Sequence, residues 1–546
     1  MKLVLSSNSS LLAFTKQVSS QETLFAFPPS IYYPILVLGI IAAGCVFTGT
    51  NPGYTPLELE HHLRASRAQM IICEPELLSP ILATSVGTDL LAEHHAAGTP
   101  RILIFDHHIH PSTPNHSPHQ SGYASWRTLL RPGVSRPWQR IDSLAVASTT
   151  TAMLLFSSGT SGLPKPVSLT HTNLTAQHDL AIAYTSPAGD PHTTSQPPWR
   201  PIRRLSFLPA FHAATVPNVH VSPIRSGEVT YVLPRFAVEP VLRSIARFQI
   251  TDTVIVPPCV LAVVNAPPAL LADPACNLSS LRWARVGAAP LGKDVQARFQ
   301  ALLDRKIEDG GTGGTGWLTQ IWGMTETSCL ALQFAPGEGD ASGSVGRPIA
   351  GLDVKVVDDE GKEVVEEVVG VEGRTVIRGE LCVRGPTVVP GYVDVSSGEM
   401  VRKEWDEEGF FHTGDVVERD VRTGLWFIVD RKKELIKVRG FQVAPPEIEA
   451  VLLAHPDVLD AAVIGVFDNT TQSELPRAYI VKRETSSEQQ TRESVKKWVS
   501  QRLAKYKCLE GGVVFMEAIP KTASGKILKR VLRDMAKTEM GRESKL

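Results

Sequence analysis

Apolar runs of strand length alternate with amphipathic helical patterns along most of this chain, and few architectures accept that alternation. A strand hidden on both faces needs helices to cover it, so the pattern predicts α/β layers. Residues 206–209, 253–256 and 283–287 read as short buried strands of this kind. Residues 31–47, "IYYPILVLGIIAAGCVF", carry no charge and approach the length that spans a bilayer. Pro34, Gly39 and Gly44 interrupt that run, and Asn51, Pro52 and Gly53 turn the chain just after it. It therefore reads as a buried helix of a large core, with no transmembrane segment.

At 546 residues and 43% hydrophobic composition, the chain can bury a large core and should divide into at least two domains. Lysine plus arginine (55) balances aspartate plus glutamate (56), which leaves no general pull toward nucleic acid or anionic lipid. The seven cysteines lack paired spacing and read as free thiols in a reducing compartment. Two segments read as loops. Residues 105–122 hold five histidines among three prolines, but without carboxylate or cysteine partners a solvated loop is a better reading than a metal site. Residues 309–316, "DGGTGGTG", have no following lysine and read as a flexible insertion. Near Arg431 charges become dense, and a separate small unit begins. Pro445 and Pro446 open a helix with Ile448, Val451 and Leu452 on its apolar stripe. Two strand-like runs follow, then a helix with Val495, Trp498, Val499 and Leu503 on one face.

The chemistry-bearing stretch is residues 152–171, "AMLLFSSGTSGLPKPVSLTH". An apolar strand ends in Ser157, Ser158, Gly159, Thr160, Ser161 and Gly162, with Lys165 close behind. Consecutive backbone N–H groups, several hydroxyls and one cation suit phosphate oxygens. The Walker loop needs Lys-Ser/Thr directly after its second glycine, whereas Leu163 and Pro164 follow Gly162 here. Taken alone, the stretch also admits a Ser/Gly loop without a ligand.

It has company, in a fixed order: "FLPAFH" ending at His212, "VGAAPLGKD" at 286–294, "QIWGMTET" at 320–327, "GELCVRGP" and "PGY" within 379–392, "HTGD" at 412–415, "VDRKKELIKVRGFQVAPPEIEAVL" and "PKTASGKILKR". Together these blocks resemble the adenylate-forming superfamily, and within it the 4-coumarate:CoA ligase-like acyl-CoA synthetases. The resemblance implies an α/β fold: a large multi-subdomain N-terminal domain (1–430) and a small α+β C-terminal lid domain (431–546). It also implies a two-step reaction. A carboxylate attacks the α-phosphate of ATP to give an acyl adenylate and diphosphate; the thiol of coenzyme A then displaces AMP.

By the same resemblance, Lys526 bridges carboxylate and phosphate during adenylation, on a turn made by Ser524 and Gly525, with Ile527, Leu528, Val531 and Leu532 anchoring the helix that follows. Thr325 meets the α-phosphate and Glu326 holds Mg2+. Gln320 belongs to the ATP site, and Trp322 stands where the family has a tyrosine against adenine. Asp415 accepts the ribose hydroxyls, with Arg431 as a second partner. The small domain is expected to rotate about Lys433, exchanging Lys526 for a face carrying Lys437, Arg439 and Gly440; Arg235 is a further coenzyme A contact. His212, Ala214, Asn218, Gly287, Ala288 and Met324 line an acyl site roomy enough for an aryl or medium-chain tail. Ala214 replaces the tyrosine of the plant enzymes, which argues against a 4-hydroxycinnamate preference.

Three departures bear on function. Pro166 replaces a glycine after the loop lysine, and Ser161 replaces a threonine. The resemblance begins only near Phe25, so the opening of the large domain is expected to be shortened, and a noncatalytic nucleotide-binding remnant stands as an alternative. Transfer of the acyl adenylate to a carrier protein, or its oxidation as in luciferases, is another; no carrier-type serine motif lies downstream of Lys526. No secretory signal is expected at the N-terminus. Ser544, Lys545 and Leu546 match the tripeptide bound by the peroxisomal import receptor, which predicts a peroxisomal location.

Overall fold

The computed structural model describes residues 2–3, 22–26, 30–97, 100–105, 123–129, 138–157, 164–183, 201–304, 316–370, 373–438, 441–468, 473–483, 487–522 and 525–543. Both expected loops lie almost wholly outside these residues, as do Ser544, Lys545 and Leu546. The chain parts into two compact units. One is Met1–Thr253 with Gly323–Ala331 and Gly385–Lys403; the other is Val254–Trp322 with Leu332–Arg384 and Glu404–Leu546. Residues after 430 fall within the second of these units, together with earlier segments.

The first unit holds a nine-stranded sheet in the order Met400–Val401, Tyr392–Val393, Lys165–Thr170, Thr151–Ser157, Val46–Gly49, Glu22–Ala26, Met70–Cys73, Ile102–Ile104, Ala124–Ser125. Glu22–Ala26 is an interior strand, parallel to both neighbours, so the sheet already uses residues before the expected onset at Phe25. The charge-free run forms the helix Tyr33–Ala42 with Pro34 in its first turn, where a missing N–H costs nothing. Tyr33, Leu36, Val37 and Ile40 are fully buried. Among the described residues no helix is long and apolar enough to cross a membrane. Helix Pro56–Ser66 opens on a reciprocal Thr55–Glu58 cap, which satisfies two orphan donors. Its Leu59 and Leu63 pack with Ile71, Ile81 and Ile102. Strand Arg203–Ser206 lies earlier than the expected 206–209. Its two arginines hide it from an apolar-run reading, because Arg204 is buried by pairing with Glu228 at 2.9 Å.

In the second unit Trp283–Val286 runs parallel to Trp317–Gln320. An antiparallel sheet follows, ordered Asp353–Val357, Thr375–Arg384, Phe411–Asp420, Trp426–Arg431. After it come the helix Pro445–Leu453 and the hairpin Val458–Asp468/Ser473–Lys482. Alternation along that hairpin serves two cores. Ala461, Val463, Ala478 and Ile480 pack with Ile448, Leu452, Val495 and Val499. The intervening Ala462, Ile464 and Tyr479 pack with Leu532 and Ala536 of the terminal helix Lys529–Glu543. This is the period-2 pattern of a strand covered on both faces. One expectation is corrected: Leu528 and Val531 are more than a third exposed, and the anchors are Leu532 and Ala536, with Ile527 beside them. Leu528 precedes the helix, and Val531 lies one position off the i, i+4 stripe. All seven cysteines are free thiols, five of them buried.

Candidate active site

In the first unit the strands Thr151–Ser157 and Lys165–Thr170 form an antiparallel hairpin in which Ser157 opposes Lys165 and Phe156 opposes Pro166. Ser158, Gly159, Thr160 and Ser161 belong to its connection and lie outside the described residues. Lys165 extends over the ring of Tyr392, its ammonium 4.8 Å from the centroid. The hydroxyl of Tyr392 donates to Glu326 Oε1 at 2.8 Å. One aromatic residue thus orients a cation and a carboxylate.

Glu326 is buried within the short 3-10 turn Thr325–Thr327, with Thr325 and Met324 half-buried beside it. The turn is tight. A Cβ on Gly323 would sit 1.6 Å from the Cys329 carbonyl oxygen, and Ser328 and Cys329 both take positive φ. Strain of this kind persists only where the surroundings enforce it. Here the Ser328 hydroxyl donates to the Thr387 carbonyl at 2.7 Å, and the Leu330 N–H donates to Gln177 at 3.1 Å.

His212 caps a short 3-10 turn, its Nδ1 accepting the Ala214 N–H at 3.2 Å. That bond assigns the proton of the neutral ring to Nε2. Asn218 lies in the π-helical segment Val216–Val221, and its amide donates to the Ala214 carbonyl at 3.4 Å. Arg235 is exposed.

In the second unit Trp322 and Asp415 are both buried, and the indole N–H donates to Asp415 Oδ2 at 2.8 Å. Arg431 Nε stands 3.2 Å from Oδ1, close enough for ionic attraction but not aligned as a hydrogen bond, so Oδ1 is a buried acceptor with no hydrogen bond among the described residues. Strand register sets this arrangement, since Asp415 and Arg431 are direct partners on adjacent strands. Glu380, on the neighbouring strand, accepts the Gly414 N–H just before Asp415 at 3.1 Å. Gln320 is engaged elsewhere: its amide exchanges hydrogen bonds with the Leu291 backbone at 2.9 and 3.0 Å and donates to Gln296 at 3.1 Å. Gly287 leaves room for Ile321, whose Cγ1 would lie 2.9 Å from an added Cβ. Ala288, exposed, holds φ of 74°.

Lys526 follows a closed turn. Gly525 N–H donates to the Thr522 carbonyl and Thr522 N–H to the Lys526 carbonyl, both at 2.8 Å, while Lys526 N–H donates to Thr522 Oγ1 at 3.1 Å. Gly525 takes φ of 82° and packs on Pro258. Lys433 is exposed in the turn after Arg431, and Lys437 is exposed on the strand Ile436–Val438, its N–H bonded to Glu474 at 2.7 Å. Arg439 and Gly440 lie outside the described residues.

Residues 14–393 match the model of the AMP-binding enzyme family, and residues 447–526 match that of the AMP-binding enzyme C-terminal domain. The chain belongs to the AMP-binding enzymes. It is 43% identical over 505 residues to the phenylacetyl-CoA ligase epaB of Aspergillus niger, covering 92% of this chain and 85% of that one. It is 42% identical over 512 residues to the acyl-CoA synthetase ACTT5 of Alternaria alternata, covering 93% and 80%. ATP-bound MatB from Rhodopseudomonas palustris superposes with a TM-score of 0.73 at 25% identity, over 96% of this chain and 90% of that one. The fold is the adenylate-forming one, a large N-terminal and a small C-terminal domain, and the activity is that of an AMP-forming acid–thiol ligase that uses ATP and coenzyme A.

For this AMP-binding enzyme, the motif residues fall into recognisable groups. Ser157, Lys165, Thr325 and Glu326 belong to the first unit; Trp322, Asp415 and Arg431 converge in the second. Gln320 is drawn into the scaffold. Sequence reasoning overlooked Tyr392, although "PGY" was in view, because nothing local says that its hydroxyl meets Glu326. It also overlooked Lys529, one of many lysines by sequence and a buried one in the fold.

Proposed function

We propose that this ligase activates an aryl or medium-chain carboxylic acid, with arylacetic acids the first class to test. The buried Oδ1 of Asp415, without a hydrogen bond among the described residues, carries the nucleotide reading, because a desolvated acceptor beside Arg431 suits a ribose hydroxyl. The small side chain of Ala214 and the name of the Aspergillus niger relative support the acid class. In the first step the substrate carboxylate attacks the α-phosphorus and diphosphate leaves. Lys526 and Thr325 offset the charge gathering on the phosphate oxygens, which is the main catalytic demand of such transfers. Glu326, oriented by Tyr392, suits Mg2+, which takes one or two protein carboxylates and completes its shell with phosphate and water oxygens. Among the described residues no group of three or more His, Cys, Asp or Glu could hold an ion unaided. Bound Mg2+ would screen the phosphates. In the second step the thiol of coenzyme A attacks the acyl carbon and AMP leaves, with His212 lining the acyl site and rotation about Lys433 bringing up Lys437, Arg439 and Gly440.

Diphosphate release and thioester formation, measured over a panel of arylacetic, cinnamic and medium-chain acids, test this reading. The arylacetic acids should give the highest kcat/KM. AMP formation without a coenzyme A thioester for every acid would refute it. Ser544, Lys545 and Leu546 support the peroxisome as the place of the reaction. An N-terminal fluorescent fusion should be punctate and turn diffuse when these three residues are deleted; diffuse signal from the intact tail counts against that location.

A further inference from the structure

The terminal helix begins three residues after Lys526, and its first residue is a buried lysine. The Lys529 ammonium lies 3.5 Å from Glu434 Oε2 and 3.6 Å from Glu449 Oε1, and it feels Asp430 as a third carboxylate. Burial acts to lower its pKa, but Glu449, Asp430 and Glu434 together outweigh burial and raise it, so it stays an ammonium. Each partner belongs to a different element. Glu449 stands on the helix Pro445–Leu453 and also accepts the Val463 N–H at 2.8 Å. Glu434 directly follows Lys433 in the turn after the strand Trp426–Arg431, and Asp430 is the penultimate residue of that strand. Glu434 feels Lys526 as well. Burial acts to raise its pKa, and Lys529, Lys526, Arg431 and Arg533 together bring it below the ordinary value. A single buried cation therefore ties the root of the Lys526 segment to the turn about which the small domain is expected to move. An apolar side chain could fill the same volume, and such replacements often keep stability. It would have no directed attraction for the turn.

We propose that Lys529 is a positioning residue for adenylation: paired with Glu434 and Glu449, it holds the start of the terminal helix against the turn at Lys433 and so sets where Lys526 is presented. This rests on the ligase reading above. The expectation is specific to one half-reaction, because a catalytic group displaced by an ångström loses rate on the order of a hundredfold, whereas thiol attack on a finished adenylate does not call on Lys526.

The test compares Lys529→Met, Lys529→Arg and Glu434→Gln with the wild type in two assays, acid-dependent ATP–diphosphate exchange and thioester formation from supplied acyl adenylate. Lys529→Met should lose roughly thirtyfold or more in the kcat of exchange, with little change in KM for ATP, and stay within about threefold in thioester formation. Lys529→Arg should recover most of the exchange. Glu434→Gln, which leaves Lys529 paired with Glu449, should show the same split at smaller size and keeps the test alive if the methionine variant does not fold. Equal losses in both half-reactions, or none in either, overturn the proposal. ATP-dependent protection of Lys526 from a limiting acetylating reagent is followed in parallel by mass spectrometry. Protection should weaken in Lys529→Met and persist in Lys529→Arg; unchanged protection in Lys529→Met overturns the inference even if no acid in the panel is turned over, an outcome that bears on the ligase reading instead.

Discussion

Trp322 shows how one side chain can set the state of another. Its indole N–H occupies Oδ2 of Asp415 and leaves Oδ1 to face Arg431. A tyrosine hydroxyl at this position would sit at the end of a differently shaped ring, so Asp415, the ribose acceptor proposed above, is held by a device particular to an indole. Replacing Trp322 by Phe keeps an aromatic face and removes the donor. Loss of a hydrogen bond to a charged group costs about 1.5–3 kcal/mol, so KM for ATP should rise on the order of tenfold or more. The preference for ATP over 2′-deoxy-ATP and 3′-deoxy-ATP should shrink as well, in steady-state assays with the three nucleotides. An undiminished preference would mean that the indole does not orient Asp415. A second residue-scale prediction concerns Asp430. Burial pushes its carboxyl up to about 7, against the attraction of Lys529 and with Glu434 and Glu449 adding to the rise. The folded state therefore holds a proton that the unfolded chain releases near the ordinary carboxylate value, and the associated stability is present at low pH and lost as pH rises through about 7. Asp430→Asn should remove this component. The melting temperature of the variant minus that of the wild type should increase between pH 5 and 8, and a flat difference would contradict the assignment.

At the scale of elements, the proposed site draws on short turns more than on long helices. The Thr522–Lys526 turn needs Gly525 for two independent reasons: its φ of 82°, and the Pro258 Cγ that would stand 3.0 Å from a Cβ. Gly525→Ala should cost about 1 kcal/mol or more of local stability. It should slow acid-dependent diphosphate exchange more than thioester formation from supplied adenylate. Equal rates for variant and wild type in the exchange assay would show that the turn geometry is not needed. The hairpin Val458–Asp468/Ser473–Lys482 is the opposite case, an element whose value lies in two-sided burial. Leu532 is fully buried on one of its faces, and Leu532→Ala should lower unfolding free energy by about 2–5 kcal/mol in denaturant titration. A change below the scatter of the titration would mean that the terminal helix is not part of the cooperative unit.

On the scale of the whole molecule, the chain's own words carried the chemistry. The blocks around Lys165, Thr325, Asp415 and Lys526 are contiguous and compositionally odd, so the family and the two-step reaction were legible from the sequence alone. The helix Tyr33–Ala42 and the small-domain elements were legible too, because hydrophobic period is a local property. What the sequence did not disclose are pairings across long separations: Tyr392 with Glu326, Trp322 with Asp415, Lys529 with Glu434 and Glu449. The exposure of Leu528 and Val531 and the burial of the arginine-led strand Arg203–Ser206 were equally out of reach. The reason is physical. Local sequence states what each segment can bury and which ligands its loops can hold. Whether a given lysine is a solvated ammonium or the buried centre of an ion cluster depends on desolvation and on partners that only the folded chain brings within a few ångströms.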